Sequence, residues 1–476
     1  MEKLKIYLIV LITILLIFPQ TFFAQIPKNS FRASQTADLL IVGGTVVTMN
    51  AAREVIEDGA VVIRGNSIAA VGKTADIVKN YRAKQTIDAR GRVVVPGLVN
   101  THTHIPMGLF RGIADDLDLQ DWLTKYIFPA EKRNVDEAFV RAGTRLGLAE
   151  LVRGGTTTFC DMYYFEDAIA DETARAGVRG VLGETLIDFP APDNKTFDDA
   201  VRYTETFVRK WQGHALIVPA VAPHAPYTVS PEHLMKTREL SDRLNAPLVI
   251  HLAEAETETA FIQQKHQGIR PIEFMEQIGF LSDKTIAAHV VQADDAELEI
   301  LKRHDVGIAH NPQSNMKLAA GVAPVPLMLK KEMRVGLGTD GAASNNDLSL
   351  WEEMDTAAKL HKVFSKDPKV VSAEEVFMMA TIGGARALHL ENLIGSIETG
   401  KRADLVIVDF DNLNQTPFYN VYSTLVYATK ADDVRTVLID GKTVMRDKRL
   451  LTLDENVIKK DANLYRQKII NSLSSN

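Results

Sequence analysis

The sequence has almost no cysteine. Cys160 is the only one in 476 residues, which excludes an intrachain disulfide and a metal site built from several thiolates. A basic excess is also missing, because 54 Lys and Arg stand against 61 Asp and Glu. Nucleic acid is therefore not an expected partner. Neither a P-loop nor a G-x-G-x-x-G after a strand occurs, so phosphoryl transfer and dinucleotide binding have no support.

The N-terminus lacks an apolar run long enough to span a bilayer. Lys3 and Lys5 precede an apolar stretch from Ile6 to Phe18, which is shorter than the roughly 20 residues of a membrane-spanning helix. This layout is typical of a signal peptide, so we predict that residues 1–24 direct export to the periplasm or the extracellular space and are cleaved. A retained membrane anchor is the alternative.

The remaining composition is that of a globular protein, with 46% hydrophobic and 24% charged residues, which excludes disordered and fibrous classes. Short apolar runs alternate with charged, helical segments. Such runs are typical of parallel strands that are buried on both faces. Eight of them can be counted, at residues 98–104, 156–162, 180–185, 217–223, 247–252, 285–290, 307–311 and 335–340.

Both ends of the chain have a different texture, with alternating strands and tight turns that indicate β-hairpins. We therefore predict an α/β fold in which residues 98–397 form a (β/α)8 barrel. Residues 37–97 and 398–450 are predicted to form one small β-sandwich domain, and residues 451–476 a helical tail.

Histidines and one aspartate fall where the predicted barrel strands end, the edge at which barrel enzymes carry their active sites. His102 and His104 share one face of the first strand, since residues i and i+2 point the same way. His251 ends the fifth strand, His289 the sixth and Asp340 the eighth. Any one of these histidines alone would be read as a hydrogen-bonded core residue. Together, three imidazoles and a carboxylate suit one catalytic Zn²⁺, with Fe²⁺ or Mn²⁺ as alternatives.

Hydrolysis at such a centre needs a proton carrier. Glu254 lies three residues beyond His251, and a carboxyl in a low-dielectric pocket can protonate a ring nitrogen and then a departing amine. Asp340 can accept a proton from the attacking water, while His289 either orients that water or is a further ligand. The alternative for Glu254 is a surface residue of an acidic loop.

The motifs in this order resemble the amidohydrolase superfamily, and within it the methylthioadenosine/S-adenosylhomocysteine deaminase branch. The motifs are PGLVNTHTH (96–104), HLAE (251–254), AAHV (287–290), HNPQSNMKLAAGVAPV (310–325) and GTDGAASNN (338–346). The resemblance implies a barrel flanked by a split β-sandwich. It also implies one metal held by His102, His104, His251 and Asp340, and hydrolytic release of ammonia from adenine nucleosides. Members of this family often form homo-oligomers.

The resemblance also implies substrate contacts. Glu131 resembles the family carboxylate that binds the ribose hydroxyls, His224 a fourth-strand residue that contacts the substrate, and Trp122 a wall of the pocket. A solvated helix residue and a core tryptophan are the respective alternatives for Glu131 and Trp122. Where the family has an arginine for a homocysteine carboxylate, this sequence has Glu184. We therefore expect an acid facing that tail, and a preference for adenosine or a neutral 5′-modified adenosine.

Several other functions stay open at this stage. A binuclear amidohydrolase would need a carboxylated lysine where the fourth strand ends in His224. A triazine hydrolase would have no use for Glu254, because chloride leaves without a proton. A guanine or pterin deaminase fits the same motifs, as does a catalytically silent exported binding protein. The other zinc deaminase family needs P-C-x-x-C, which a lone cysteine excludes.

Overall fold

The computed structural model describes residues 35–473. The predicted signal peptide, residues 1–24, lies outside the described residues. Within residues 35–473, every helix is too short or too polar to cross a membrane.

Seventeen strands occur in the described part of the chain. They are β1 (Gln35–Val47), β2 (Val55–Arg64), β3 (Ser67–Lys73), β4 (Tyr81–Asp88), β5 (Arg92–Pro96), β6 (Leu98–Thr103), β7 (Thr156–Tyr163), β8 (Arg179–Leu186), β9 (Ile217–Pro223), β10 (Leu248–Leu252), β11 (Thr285–His289), β12 (Gly307–His310), β13 (Arg334–Leu337), β14 (Leu405–Asp409), β15 (Val434–Ile439), β16 (Lys442–Arg446) and β17 (Arg449–Leu450).

The α-helices of the same region follow most barrel strands and cover the chain ends. They are α1 (Thr74–Asn80), α2 (Leu119–Asp121), α3 (Phe128–Asn134), α4 (Glu137–Arg153), α5 (Glu166–Ala176), α6 (Phe197–Trp211), α7 (Pro231–Leu244), α8 (Glu256–Lys265), α9 (Pro271–Gln277), α10 (Asp295–Arg303), α11 (Pro312–Lys317), α12 (Val325–Lys330), α13 (Leu350–Ser365), α14 (Ala373–Met379), α15 (Ile382–Ala387), α16 (Val421–Tyr427) and α17 (Glu455–Leu473). Short 3₁₀ turns lie at Ile105–Phe110, Leu413–Gln415 and Ala431–Asp433, and a π-helical turn at Trp122–Ile127.

Strands β6 to β13 form the predicted barrel, in sequence order and with every neighbouring pair parallel. The eight apolar runs are thereby confirmed as its strands. Side-chain hydrogen bonds help to connect the end of the last barrel strand, β13, to the first, β6. The Asn100 amide donates to the Thr339 hydroxyl (2.8 Å) and accepts from its backbone N–H (3.1 Å). The Asp340 N–H donates to the His102 carbonyl (3.0 Å), so closure of the barrel places Asp340 beside His102.

Both chain ends build one nine-stranded mixed sheet, in the order β17-β16-β15-β14-β5-β1-β2-β3 with β4 added beside β1. Strand β1 is shared by the two halves of this sheet. Its first part pairs with β4 and its Thr45–Val46 part with β5, with bulges between Val42 and Val46. Apolar side chains of β1 and β2 pack with those of β14 and β15 in a single buried cluster, as a folded-over sandwich requires.

A buried ion pair joins this sheet to the barrel. The Arg179 guanidinium, at the start of β8, donates to both oxygens of Asp404 at 3.1 and 3.3 Å. Both side chains are 1% exposed. Asp404 also accepts from the backbone N–H of Asp440 at 2.7 Å, so the carboxylate links the barrel to two segments of the sheet.

Candidate metal centre and substrate cavity

The imidazoles of three predicted ligands meet at the carboxyl ends of β6 and β10. The ring centroids of His102 lie 4.9 Å from those of His104 and His251, and the latter two are 5.2 Å apart. Hydrogen bonds hold two of these rings, those of His104 and His251, in orientations that face one point. The His104 Nδ1 donates to the Met162 carbonyl (2.6 Å) and the His251 Nδ1 to the His224 carbonyl (2.8 Å). Each donation fixes the tautomer and leaves the Nε2 lone pair facing inward.

Asp340 completes this group from β13. Its Oδ1 lies 3.3 Å from the His104 Nε2 and 3.4 Å from the His102 Nε2. Its Oδ2 accepts hydrogen bonds from the hydroxyls of Ser314 (2.7 Å) and Ser344 (2.8 Å). The backbone at Asp340 is left-handed (φ 59°), a conformation that a non-glycine residue keeps only when its surroundings hold it.

The arrangement of these atoms fits a divalent ion. The Nε2 atoms of His104 and His251 are 3.2 Å apart, and two lone pairs at that distance repel unless a cation or a proton lies between them. His102 is fully buried, yet neither of its ring nitrogens has a hydrogen-bond partner within residues 35–473. Four ligands around a tetrahedral zinc lie about 3.4 Å from one another, which matches the separations found here.

His289 lies next to the same group. Its Nδ1 donates to the Asn315 Oδ1 (2.8 Å), which turns the Nε2 toward the site. That Nε2 is 3.8 Å from the Glu254 Oε1 and belongs with His102 and Asp340 to a second group able to hold an ion. Both predicted roles of His289, orienting water or binding the ion, are compatible with this position.

Glu254 faces the cavity from the turn after β10 and is 4% exposed. A second acid that the sequence analysis missed, Glu258, holds this turn. Its carboxylate accepts from the backbone N–H of Ala253 (2.9 Å) and of Glu254 (2.8 Å). Burial raises the pKa of the Glu254 carboxyl, although the His289 imidazole acts in the opposite direction. The Glu254 carboxyl is therefore poised to hold a proton.

Two adjoining cavities, of about 380 and 330 Å³ with the space open to solvent included, lie over these residues. They share His104, Trp122, Leu123 and His224 as walls. Trp122 begins the π-helical turn, a feature that often marks functional sites. Its indole N–H is buried and has no partner in the described part of the chain, so it is available as a donor.

Glu131 lies in the larger cavity, where it accepts a hydrogen bond from the Tyr163 hydroxyl at 2.8 Å. Burial raises the pKa of the Glu131 carboxyl to about 7, while the hydrogen bond from Tyr163 acts against this. His224 contacts the same cavity, and burial lowers the pKa of its imidazole to about 3. The structure thus brings Trp122, Glu131 and His224 to one cavity beside the metal-binding group.

The expectation that Glu184 faces a substrate tail is wrong. Glu184 is fully buried and accepts from the backbone N–H of Glu166 (3.0 Å) and the amide of Asn194 (3.1 Å). Burial and the nearby Asp193 raise the pKa of this carboxyl well above its usual range. Successive strand residues point to opposite faces, and in β8 it is Thr185 that lines the cavity.

Sequence and structure comparisons agree on the relatives of this chain. The family model described as "Amidohydrolase family" matches residues 93–444. A 5-methylthioadenosine/S-adenosylhomocysteine deaminase of Syntrophobacter fumaroxidans is 48% identical over 412 residues, which cover 87% of this chain and 94% of that protein. A protein of the same name from Thermodesulfovibrio yellowstonii is 44% identical, over 84% of this chain and 91% of that protein.

Two solved structures are similar to this chain in their three-dimensional fold. The crystal structure of an adenosine deaminase from Xanthomonas campestris with bound zinc superimposes with a TM-score of 0.91 at 37% identity, and covers 92% of this chain and 100% of that one. An atrazine chlorohydrolase from Arthrobacter aurescens complexed with zinc reaches 0.84 at 24% identity, over 90% of this chain and 100% of that one. At that identity the second likeness concerns the fold alone.

Proposed function

The chain belongs to the amidohydrolase family, and from that premise we propose that it is a metal-dependent deaminase that hydrolyses adenine nucleosides and releases ammonia. The observation that carries the proposal is the buried Glu254, which lies beside three imidazoles and a carboxylate at the floor of a cavity. A hydrolase that releases an amine needs such a proton carrier, because the amino group must gain a proton to leave as ammonia. The relatives named as deaminases support the same reaction.

We propose that His102, His104, His251 and Asp340 hold one divalent ion per chain and that this ion is zinc. Three imidazole nitrogens and one carboxylate form a donor set that suits zinc, and a solved adenosine deaminase that is 37% identical to this chain has zinc bound. When bound, such an ion acts as a Lewis acid that makes water acidic enough to attack near neutral pH.

The side chains of the site divide the proton transfers between them. Glu254 in its protonated form donates to N1 of the adenine ring, which makes C6 open to attack by water. Asp340 accepts a proton from that water, and His289 directs its lone pair toward C6. Glu254 then takes the remaining proton of the attacking hydroxyl and passes it to the amino group, the C–N bond breaks and ammonia leaves. N1 keeps its proton, and the proton held by Asp340 returns to Glu254 for the next turnover. The products are inosine or its 5′-modified analogue and ammonia.

Glu131 and Trp122 would bind the nucleoside rather than take part in proton transfer. A carboxylate with two acceptor oxygens suits the two hydroxyls of a ribose, and the Tyr163 hydroxyl uses only Oε1 of Glu131. The free indole N–H of Trp122 offers a donor to an acceptor nitrogen of the purine. His224 closes the cavity as a neutral ring, because burial lowers its pKa to about 3.

The cavities favour a substrate with an uncharged 5′ group. Among the described residues that line them, none is Lys or Arg. A homocysteine carboxylate bound there would find no Lys or Arg to pair with and would share the cavities with the acids Glu131 and Glu254. Leaving such a group unpaired costs about 1–3 kcal/mol. We therefore still propose a preference for neutral tails, and we now base it on the lack of Lys and Arg among the lining residues and not on Glu184.

A set of tail-matched substrates tests this scheme by ammonia release. We expect similar kcat/KM values for adenosine, 5′-methylthioadenosine and 5′-butylthioadenosine, whose tail is about as long as homocysteine but uncharged. S-adenosylhomocysteine should be slower by about tenfold or more. Equal kcat/KM values for S-adenosylhomocysteine and 5′-butylthioadenosine would show that the charge of the tail does not determine substrate preference. Absence of ammonia from every adenine nucleoside would overturn the proposed function itself.

Export also stays a proposal, supported by the lysines and the apolar stretch within residues 1–24. N-terminal sequencing of the protein purified from its native cells should begin near residue 25. A mature chain that begins at Met1 in the cytoplasm would contradict it.

A further inference from the structure

Two serine hydroxyls hold the far oxygen of Asp340, and they lie in segments that follow different strands. Ser314 lies in α11, after the seventh barrel strand β12, and Ser344 follows the eighth strand β13. Their hydroxyl oxygens are 3.1 Å apart, and each also lies within 2.8 Å of the Asp340 Oδ2. The orientation of Asp340 therefore depends on how these two segments are placed relative to each other.

One buried carboxylate joins the two segments. Glu353, in α13, is fully buried. Its Oε2 accepts from the backbone N–H of Gln313 (3.2 Å), the residue before Ser314. Its Oε1 accepts from the Asn345 amide (2.6 Å), the residue after Ser344. The same amide nitrogen donates to the Thr339 carbonyl at 2.9 Å, so the contact extends to the residue that precedes Asp340.

Packing alone does not explain an acid at this position. The buried neighbours of Glu353 along α13 include Leu350, Trp351, Met354 and Ala357, and an apolar side chain would continue that face without cost. Burial of a carboxyl is unfavourable unless its oxygens find donors, and here each oxygen meets one. The acid is thus suited to join two loops, which a leucine could not do.

We propose that Glu353 is a positioning residue for the metal centre, which fixes Asp340 by tying together the segments that carry Ser314 and Ser344. The proposal rests on the metal site of the proposed function. Among the described residues, Glu353 makes no hydrogen bond to a ligand and does not line the cavity, and its hydrogen bonds reach the site through Gln313 and Asn345. If the hydrogen bonds that Glu353 accepts from Gln313 and Asn345 are lost, the spacing of the two serine hydroxyls is no longer fixed. The Asp340 carboxylate can then rotate more freely. The affinity for the ion then falls, because supporting hydrogen bonds hold metal ligands in place.

The experiment compares Glu353→Gln with Glu352→Gln in the full chain. Glutamine keeps the size of the side chain but replaces one acceptor oxygen with a donor, which would face the Gln313 or the Asn345 N–H. Glu352 is the adjacent acid, is partly exposed and pairs with Lys430 at 3.2 Å, so it controls for charge and helix position. Zinc affinity is measured by competition with a chromophoric chelator, which does not depend on activity.

We expect zinc to bind about 10- to 100-fold more weakly to Glu353→Gln and with unchanged affinity to Glu352→Gln. Asn345→Ala removes one of the two ties without altering α13, so it should also weaken binding even if Glu353→Gln fails to fold. In the double variant the two losses should not add, because they break one connection. Wild-type affinity in either single variant would overturn the proposal. A wild-type chain that binds no zinc would instead overturn the proposed metal site.

Discussion

Replacing Glu254 with glutamine separates proton transfer from every other property of the site. Glutamine has nearly the same shape, and the turn that presents it is held by Glu258 through backbone N–H groups, so the position should be kept. Glu254 is 4% exposed, so bulk water cannot readily replace it as a proton source. We therefore expect the full loss typical of a missing general acid, a fall in kcat of about 10²- to 10⁴-fold.

That loss corresponds to about 2.7–5.5 kcal/mol of transition-state stabilisation. The assay is ammonia release from adenosine, with zinc content measured on the same samples. Glu256→Gln is the matched control, because Glu256 belongs to the same acidic segment but is exposed. It should retain wild-type turnover. Glu254→Gln with full zinc and wild-type kcat would refute the assignment of Glu254 as the proton carrier.

Three further predictions concern pH, the ribose and the contact between domains. Because burial raises the pKa of Glu254, activity should fall as the pH rises through that raised pKa. It should also fall in acid, as the imidazole ligands take up protons and release the ion. Burial lowers the pKa of His102 to about 4, so full activity at pH 4 would contradict this. Glu131→Gln should raise the KM for adenosine by about tenfold and leave the KM for 2′,3′-dideoxyadenosine unchanged. An equal rise in both KM values would show that Glu131 does not bind the ribose hydroxyls. Asp404→Asn leaves the buried Arg179 without its main charged partner, which should reduce the free energy of unfolding by about 3 kcal/mol. The midpoint of urea unfolding should fall accordingly. An unchanged midpoint would show that this ion pair does not hold the sheet to the barrel.

The barrel could be predicted because its strands are buried on both faces. A strand of that kind is a continuous apolar run, and the eight runs coincide closely with β6 to β13. The same property explains the error at Glu184. When both faces of a strand are buried, the sequence does not reveal which face points to the cavity, and Thr185 rather than Glu184 does so.

Helix boundaries and supporting residues were harder to predict. Helix α4 begins at Glu137, because Asp136 accepts from the Phe139 N–H at 2.7 Å and caps its first turn, whereas the apolar spacing of the helix does not fix that start. Glu258 could have been found, since an acid four residues after Glu254 near the start of a helix is a local signal. Glu353 could not, because its partners lie eight and forty residues away along the chain and meet it only in the folded barrel.

Anomalous scattering at the zinc edge, from crystals of the purified protein, tests the central claim most directly. We expect one peak per chain, about 2.0–2.2 Å from ligand atoms of His102, His104, His251 and Asp340 and next to Glu254. A peak at another location, or none in crystals grown with excess zinc, would contradict it.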